Sequence, residues 1–262
     1  MTNPESVARA SARIGADVAL DAFRGSLSIE EKSGKTDLVT EADQATQDAI
    51  VDRIRIDFPD ATIVGEESGT ATDLPPSGMA WLIDPIDGTR NFIREVPQWM
   101  VSVVCLVDRE PMAAVNIAPA LDDEYVGTPE GVTRNGRPVT VSDRTDPETF
   151  LTIPTLWWGT DRRDEYVTTV RLLLEQFGDI RRFGSAQFEL STVAAGGVEG
   201  VLSNVRGSPW DTVAGAAMVE WAGGCVTDIH GEPWTDHSHG IVASHGIHHA
   251  DFCAVASAAE PK

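Results

Sequence analysis

The sequence predicts a mixed α/β fold, and three observations carry that prediction. Strand-like and helix-like patterns alternate through the second half of the chain. Two long apolar segments, Met100–Val107 and Met112–Ile117, flank Asp108-Arg109-Glu110-Pro111 and read as an antiparallel hairpin. Near the start, Val7, Ala10, Ile14, Val18, Ala19 and Phe23 recur at helical spacing, an amphipathic helix over about residues 5–23. With 262 residues and 42% apolar content, the chain is long enough for one large domain or two closely packed halves.

In order, the polar stretch 28–37 reads as a loop. Thr40, with Asp43 three residues on, resembles a capping box opening a helix that shows Ala45, Ala49, Ile50 and Ile54 on one face and stops before Pro59. Ala61–Val64 is a short strand running into Gly65-Glu66-Glu67-Ser68-Gly69. After a Pro- and Ser-rich loop comes the stretch that organises the chain, Trp81-Leu82-Ile83-Asp84-Pro85-Ile86-Asp87-Gly88-Thr89. Its apolar run reads as a buried strand. Pro fixes φ and lacks an N–H, and Gly permits angles other residues avoid, so the strand is expected to stop at Asp84. That would hold two carboxylates on a tight turn at a strand's carboxyl end, where ligands of α/β sheets collect. The backbone N–H groups of Gly88 and Thr89 would be free to meet an anion. An ordinary strand-to-loop turn with Asx chemistry would show the same residues.

Beyond the hairpin, short strands are expected at Tyr125–Gly127, Val132 and Val139–Val141, with an Asn135-Gly136 turn. Composition changes near Asp143–Pro147, which sets an expected boundary between halves 1–143 and 144–262. Thereafter the pattern is strand 150–153, helix 161–177, strand 180–182, helix 186–196, strand 201–203, helix 210–222, strands 225–228 and 241–243, and helix 247–258.

Composition excludes several classes. No stretch approaches the roughly 20 apolar residues of a membrane span, and no secretory leader is visible near Glu5. Three scattered cysteines without metal spacing, Cys105, Cys225 and Cys253, suit buried thiols in a reducing cytoplasm. A formal charge of −21 repels nucleic acid and anionic membrane alike. Lysine occurs only at 32, 35 and 262, and so acidic, lysine-poor a surface suits a salt-rich cytoplasm. An anionic substrate would need metal cations or local basic residues to approach.

Acids recur in one context: Glu66 and Glu67 after a strand, Asp84 and Asp87 after a strand, and Asp211 in Pro209-Trp210-Asp211 at a helix start, where Asp is also common as a cap. Two carboxylates ~5 Å apart repel by roughly 3 kcal/mol at an effective dielectric of ~20, so a convergent set needs cations. Oxygen-only ligands select hard ions, Mg²⁺ above all beside phosphate.

Gly65-Glu66-Glu67-Ser68, Asp84-Pro85-Ile86-Asp87-Gly88-Thr89 with Asn91-Phe92, and Trp210-Asp211 with Ala214-Gly215 and Ala222-Gly223-Gly224 resemble the inositol monophosphatase family, whose archaeal members also hydrolyse fructose 1,6-bisphosphate. Asp37-Leu38-Val39-Thr40-x-x-Asp43 and Asn135-Gly136-x-x-Val139-x-Val141-Ser142 extend the likeness over nearly the whole chain. The resemblance implies an αβαβα sandwich of alternating helix and sheet layers, a homodimer, lithium inhibition and two to three Mg²⁺ per site. Glu66, Asp84 and the Ile86 carbonyl would hold the first ion; Asp84, Asp87 and Asp211 the second; and Glu66, through water, a weaker third. Glu67 would lie behind them or in solvent. Thr89 would orient the attacking water with Asp43 as proton acceptor, a role compatible with capping. Asp87, Gly88 and Thr89 would meet the phosphoryl group. A basic residue of the first loop assists in the family, and Lys32 occupies that position, with Lys35 the alternative. In such chemistry one metal lowers the pKa of water and another neutralises the leaving oxygen, with no covalent nucleophile.

The substrate side departs from the animal enzymes. Seven residues before Asp211, where they carry Glu, stands Asn204, which offers hydrogen bonds without charge. Arg206, and less directly Arg90, would bind a second phosphate bidentately unless each serves a surface ion pair. Gly184-Ser185-Ala186 matches the family's substrate-side loop, with Ser185 and Ala186 lining the polyol site. Inositol 1-phosphate and fructose 1,6-bisphosphate are therefore both expected substrates. A 3′-phosphoadenosine 5′-phosphate phosphatase is the rival enzyme, and a non-catalytic regulatory protein on the same scaffold the rival of another class. Six histidines from His230 to His249 invite a zinc reading, yet they fit a loop, a strand and a terminal helix better than a closed metal site.

Overall fold

The computed structural model describes residues 3–25, 29–34, 37–156 and 158–260, with the backbone alone over 29–34 and 37–39. Lys35, Trp157 and the Lys32 side chain lie outside the described residues. The chain divides into two units, Met1–Arg137 and Pro138–Lys262.

In the first unit, α1 (Pro4–Ala22) starts where the Asn3 side chain accepts the Glu5 N–H at 3.1 Å, and it buries Val7, Ala8, Ala12, Ala16 and Ala19. The stretch expected to be a loop instead forms an antiparallel hairpin, β1 (Ile29–Gly34) and β2 (Asp37–Thr40), pairing Glu30 with Val39. Its residues are polar in succession over 30–33 and apolar in succession at Leu38 and Val39, so no period-two pattern marks it. Helix α2 (Glu41–Asp57) begins at the Thr40/Asp43 capping box. There follow β3 (Thr62–Gly65), β4 (Met79–Asp87), α3 (Thr89–Ile93), β5 (Met100–Val107), β6 (Glu110–Ala118), β7 (Asp123–Thr128), β8 (Gly131–Arg134) and, at the junction with the second unit, β9 (Arg137–Val139). These strands make one seven-stranded sheet in sequence order. Strand β3 runs parallel to β4, and the β4–β8 pairs are antiparallel. The hairpin joining β5 and β6 turns on Asp108 and Arg109, both at positive φ (52° and 71°), the geometry whose twist matches the strands.

Strand β4 corrects the expected stop at Asp84. It continues through Pro85 to Asp87, because the register slips: Asp84 faces Ser102 while Asp87 faces Met100. Three steps on one strand meet two on the other, a bulge, and a bulge is where a sheet tolerates a residue without an N–H. The strand ends at Gly88, whose φ of 94° and ψ of 39° open α3. Phe92 pins that short helix into the core, its ring 4.9 Å from Trp99 and 5.4 Å from Phe23. Trp81, Ile83 and Ile86 of β4 pack into the same core with Ile50 and Ile54 of α2.

The second unit contains β10 (Leu151–Pro154), α4 (Arg163–Gln176), β11 (Asp179–Ile180), α5 (Ala186–Ala194), β12 (Gly200–Ser203), α6 (Pro209–Trp221), β13 (Cys225–Thr227), β14 (Ile241–Ser244) and α7 (His249–Ala258). The five strands order β11-β10-β12-β14-β13, with parallel pairs around β10 and antiparallel pairs around β14. Phe150, Phe177 and Phe252 stack in its core, where Gly200 has room only for hydrogen beside the Phe252 ring. Among the described residues, no helix is long and apolar enough to cross a membrane.

Candidate active site

The bulge of β4 delivers its acids inward. Asp84 is 1% exposed and Asp87 7%, and each offers a carboxylate oxygen within 4.8 Å of the other's. A flat strand would send residues three apart to opposite faces; the extra residue in the bulge re-aims one of them. Just beyond, the Thr89 hydroxyl lies 3.1 Å from the Ile86 carbonyl and 3.3 Å from Asp43 Oδ1. Asp43 is buried, and its other oxygen accepts both the Thr40 N–H (2.8 Å) and the Thr40 hydroxyl (2.6 Å). Capping and contact with Thr89 thus use different oxygens of one carboxylate.

Parallel pairing sets Gly65 of β3 against Ile83 of β4, so Glu66 and Asp84 leave neighbouring strands side by side. Glu66 is half-buried. Glu67 is buried rather than solvated, at 8% exposure. Gln47 of α2 accepts the Glu67 N–H at 2.9 Å and donates to the Ser68 carbonyl at 3.2 Å, which ties this acidic turn to the helix.

In the second unit, Asp211 is the third residue of α6, half-buried, and its Oδ2 accepts the Ser208 N–H at 3.0 Å. That is the capping role, on one oxygen. Ser185 caps α5, its hydroxyl accepting the Phe188 N–H at 3.4 Å, and with Ala186 it is buried. The turn before it is held by Glu189, which accepts the N–H groups of Phe183 (2.7 Å) and Gly184 (2.9 Å) and the Thr155 hydroxyl (2.5 Å). Burial pushes the Glu189 carboxyl up to about 6, against those three bonds and the Arg182 charge. Asn204 is engaged internally: Oδ1 accepts from Trp158 Nε1 at 2.6 Å, and Nδ2 donates to Glu165 at 2.8 Å and to the Ala259 carbonyl at 3.3 Å. A sugar hydroxyl donating to Asn204 would have to share an oxygen already bound to Trp158. Arg206 is exposed and reaches Nδ1 of His237 at 3.0 Å.

No thiol offers a nucleophile here. Burial pushes Cys105 up to about 12 and raises Cys225 and Cys253 as well. His245 lies between two backbone carbonyls, and His249 between the Ser244 and Thr227 hydroxyls. Among the described residues, the histidines and cysteines assemble no three-ligand group.

A family model, the inositol monophosphatase family, matches residues 2–260. The chain belongs to that family. An inositol-1-monophosphatase of Bacillus subtilis is 32% identical over 230 residues, covering 87% of this chain and 86% of its own. A Pseudomonas aeruginosa protein named Nus factor SuhB is 37% identical over 213 residues, covering 78% and 77%. Among solved structures, a Thermotoga maritima IMPase superposes with a TM-score of 0.88 at 29% identity, over 97% of this chain and 96% of that one. The α/β fold is therefore that of the inositol monophosphatases, and membership of the family supports a phosphatase.

The family's need for a cation fits what this chain presents. Asp84 and Asp87 are hard oxygen donors, buried, and close enough to repel by roughly 3 kcal/mol at an effective dielectric of ~20. A divalent ion between them would convert that repulsion into attraction. The residues that sequence reasoning overlooked are Gln47 and Gln187, whose buried amides grip backbone next to Glu66 and Asp211, and Glu189, whose buried carboxylate grips the turn before Ser185. Their only signal in the sequence is a polar residue on the apolar side of a helix.

Proposed function

We propose that this chain is a Mg²⁺-dependent phosphomonoesterase acting on inositol 1-phosphate, fructose 1,6-bisphosphate or both. The observation that carries the reading is the buried Asp84/Asp87 pair beside the Thr89–Asp43 contact. In this reading Glu66, Asp84, Asp87, the Ile86 carbonyl and Asp211 hold two to three ions, and the two halves act as one catalytic unit. When bound, such ions neutralise phosphoryl charge and make water a stronger nucleophile. The chain's own residues handle the proton. The Thr89 hydroxyl donates toward Asp43 Oδ1, which leaves its lone pairs to accept from a water. As that water attacks phosphorus, its proton passes to Thr89 Oγ1 while the Thr89 proton passes to Asp43; the ester P–O bond breaks opposite the attack, and the departing alcohol oxygen takes its proton from solvent water. The Gly88 and Thr89 N–H groups receive phosphoryl oxygens. Ser185, Ala186, Asn204 and Arg206 border the alcohol side, and Lys32 supplies positive charge from the first hairpin.

The same reading takes the chain as a cytoplasmic homodimer, lithium-sensitive and adapted to salt; its three free cysteines and its charge of −21 support the compartment and the salt. Phosphate release from the two substrates, with and without Mg²⁺, tests the activity, and no release from either refutes it. The relative named Nus factor SuhB favours a second reading, a binding role on the same scaffold. The acidic charge argues against nucleic acid as the ligand, and a gel-shift assay with RNA at low salt decides that point.

A further inference from the structure

Two glutamines, one in each unit, share a device. Gln47 is fully buried in α2, accepts the Glu67 N–H at 2.9 Å and donates to the Ser68 carbonyl at 3.2 Å. Opposite it stands Gly65, where a Cβ would run into Oε1 of the amide. Gln187 is fully buried in α5, accepts the Gly215 N–H at 2.8 Å and donates to the Trp210 carbonyl at 2.7 Å. Opposite it stands Gly215, where a Cβ would lie 2.9 Å from Oε1 and collide with Leu190.

Each amide therefore spends both its donor and its acceptor on backbone, and each fits only because a glycine makes room. The backbone it grips is not arbitrary. Glu67 and Ser68 directly follow Glu66, while Trp210 directly precedes Asp211 and Gly215 is one helical turn further on. Within a helix the Gly215 N–H would ordinarily donate to the Asp211 carbonyl, so the Gln187 amide sits across the very turn that carries Asp211. A carboxylate's oxygens are only as well placed as the turn beneath them.

We propose that Gln47 and Gln187 are positioning residues that set the divalent-cation affinity of Glu66 and Asp211, respectively. The proposal rests on the reading of those two acids as cation ligands. Partners that hold a ligand in place typically contribute about 10–100-fold in metal affinity. The bland alternative is that both amides only satisfy buried backbone, in which case their loss lowers stability and leaves the cation untouched.

Calorimetric titration with Mn²⁺ of the full chain separates the two. The variants are Gln47→Met, Gln187→Met, Glu66→Gln, Asp211→Asn and the pairs Gln47→Met/Glu66→Gln and Gln187→Met/Asp211→Asn, with melting temperatures taken in EDTA. Each Met variant is expected to weaken Mn²⁺ about tenfold or more, and to weaken it no further once its acid has been replaced. Wild-type affinity in the Met variants, with weakened binding in Glu66→Gln and Asp211→Asn, overturns the proposal and leaves the acids as ligands. Full additivity in the paired variants also overturns it, since the glutamines would then act on the fold at large. Wild-type affinity in Glu66→Gln and Asp211→Asn overturns the ligand reading and the proposal with it. Gln47→Asn and Gln187→Asn serve if the Met variants do not fold. They keep an amide one methylene too short to span both backbone groups, so the same loss is expected and its absence is equally decisive.

Discussion

Replacing Glu189 with glutamine should remove a specific pH dependence from the stability of the protein. Glu189 is 1% exposed, and its carboxylate receives Phe183 N–H, Gly184 N–H and the Thr155 hydroxyl. Burial nevertheless dominates and lifts its pKa from 4.5 to about 6 in the fold. Below about pH 4.5 the group is protonated both folded and unfolded and contributes no difference. Between about 4.5 and 6 the folded state binds more protons than the unfolded one, so stability falls as pH rises. Above about pH 6 both states are ionised, and the folded state carries the whole cost of about 2 kcal/mol, from about 1.5 units at 1.36 kcal/mol each. Glutamine keeps the acceptor for Phe183 and Gly184 and cannot ionise. Urea unfolding of both proteins in EDTA, from about pH 4.5 to about pH 7.5, reads the difference directly, since every other titrating group cancels. Wild type should lose about 2 kcal/mol relative to Glu189→Gln across that window. Parallel curves would show that the three hydrogen bonds, and not burial, set the charge state, and the reasoning would fail.

Two further outcomes follow from the first unit. Asp87→Asn should abolish phosphate release yet melt higher than wild type in EDTA, because it relieves a repulsion of up to roughly 3 kcal/mol between buried carboxylates; a lower melting temperature without metal would contradict that electrostatic account. Gly65→Ala should cost about 1–3 kcal/mol by driving a methyl group against the Gln47 amide, measured as a lower urea midpoint with an unchanged slope.

Local signals in the chain translate well into local structure. The Thr40/Asp43 pair marks the start of α2, helical spacing marks α1, and apolar runs mark β5 and β6. Pro85 misleads, because its consequence depends on the partner strand: against a regular ladder it would end β4, while against a bulge it is tolerated. The β1–β2 hairpin carries no alternation and is invisible for that reason. The acids Asp84 and Asp87 stand out as residue types on a turn. Gln47 and Gln187 do not, since what they bind is backbone 20 to 28 positions away, and a sequence does not display where its N–H and C=O groups will point. Asn204 carries a constraint that its position does not display: Trp158, Glu165 and Ala259 already engage its amide.

The charge of the chain leads to a prediction about salt. There are 41 Asp and Glu against 20 Lys and Arg, so at least 21 acids have no basic counterpart. Many arginines are already committed: Arg9 and Arg13 share Glu124, Arg134 pairs with Asp123, and Arg162 with Glu165. The surplus acids repel one another over a Debye length, about 10 Å at 0.1 M salt and about 3 Å at 1 M. Raising KCl from about 0.05 to about 0.5 M should therefore raise the melting temperature, with most of the gain inside that range because screening saturates. Over the same range the KM for an anionic phosphate ester should fall if the global field hinders its approach. A melting temperature that stays flat below about 0.5 M and climbs only in molar salt would assign the effect to exclusion of salt from the surface, and self-repulsion would not be what limits this fold.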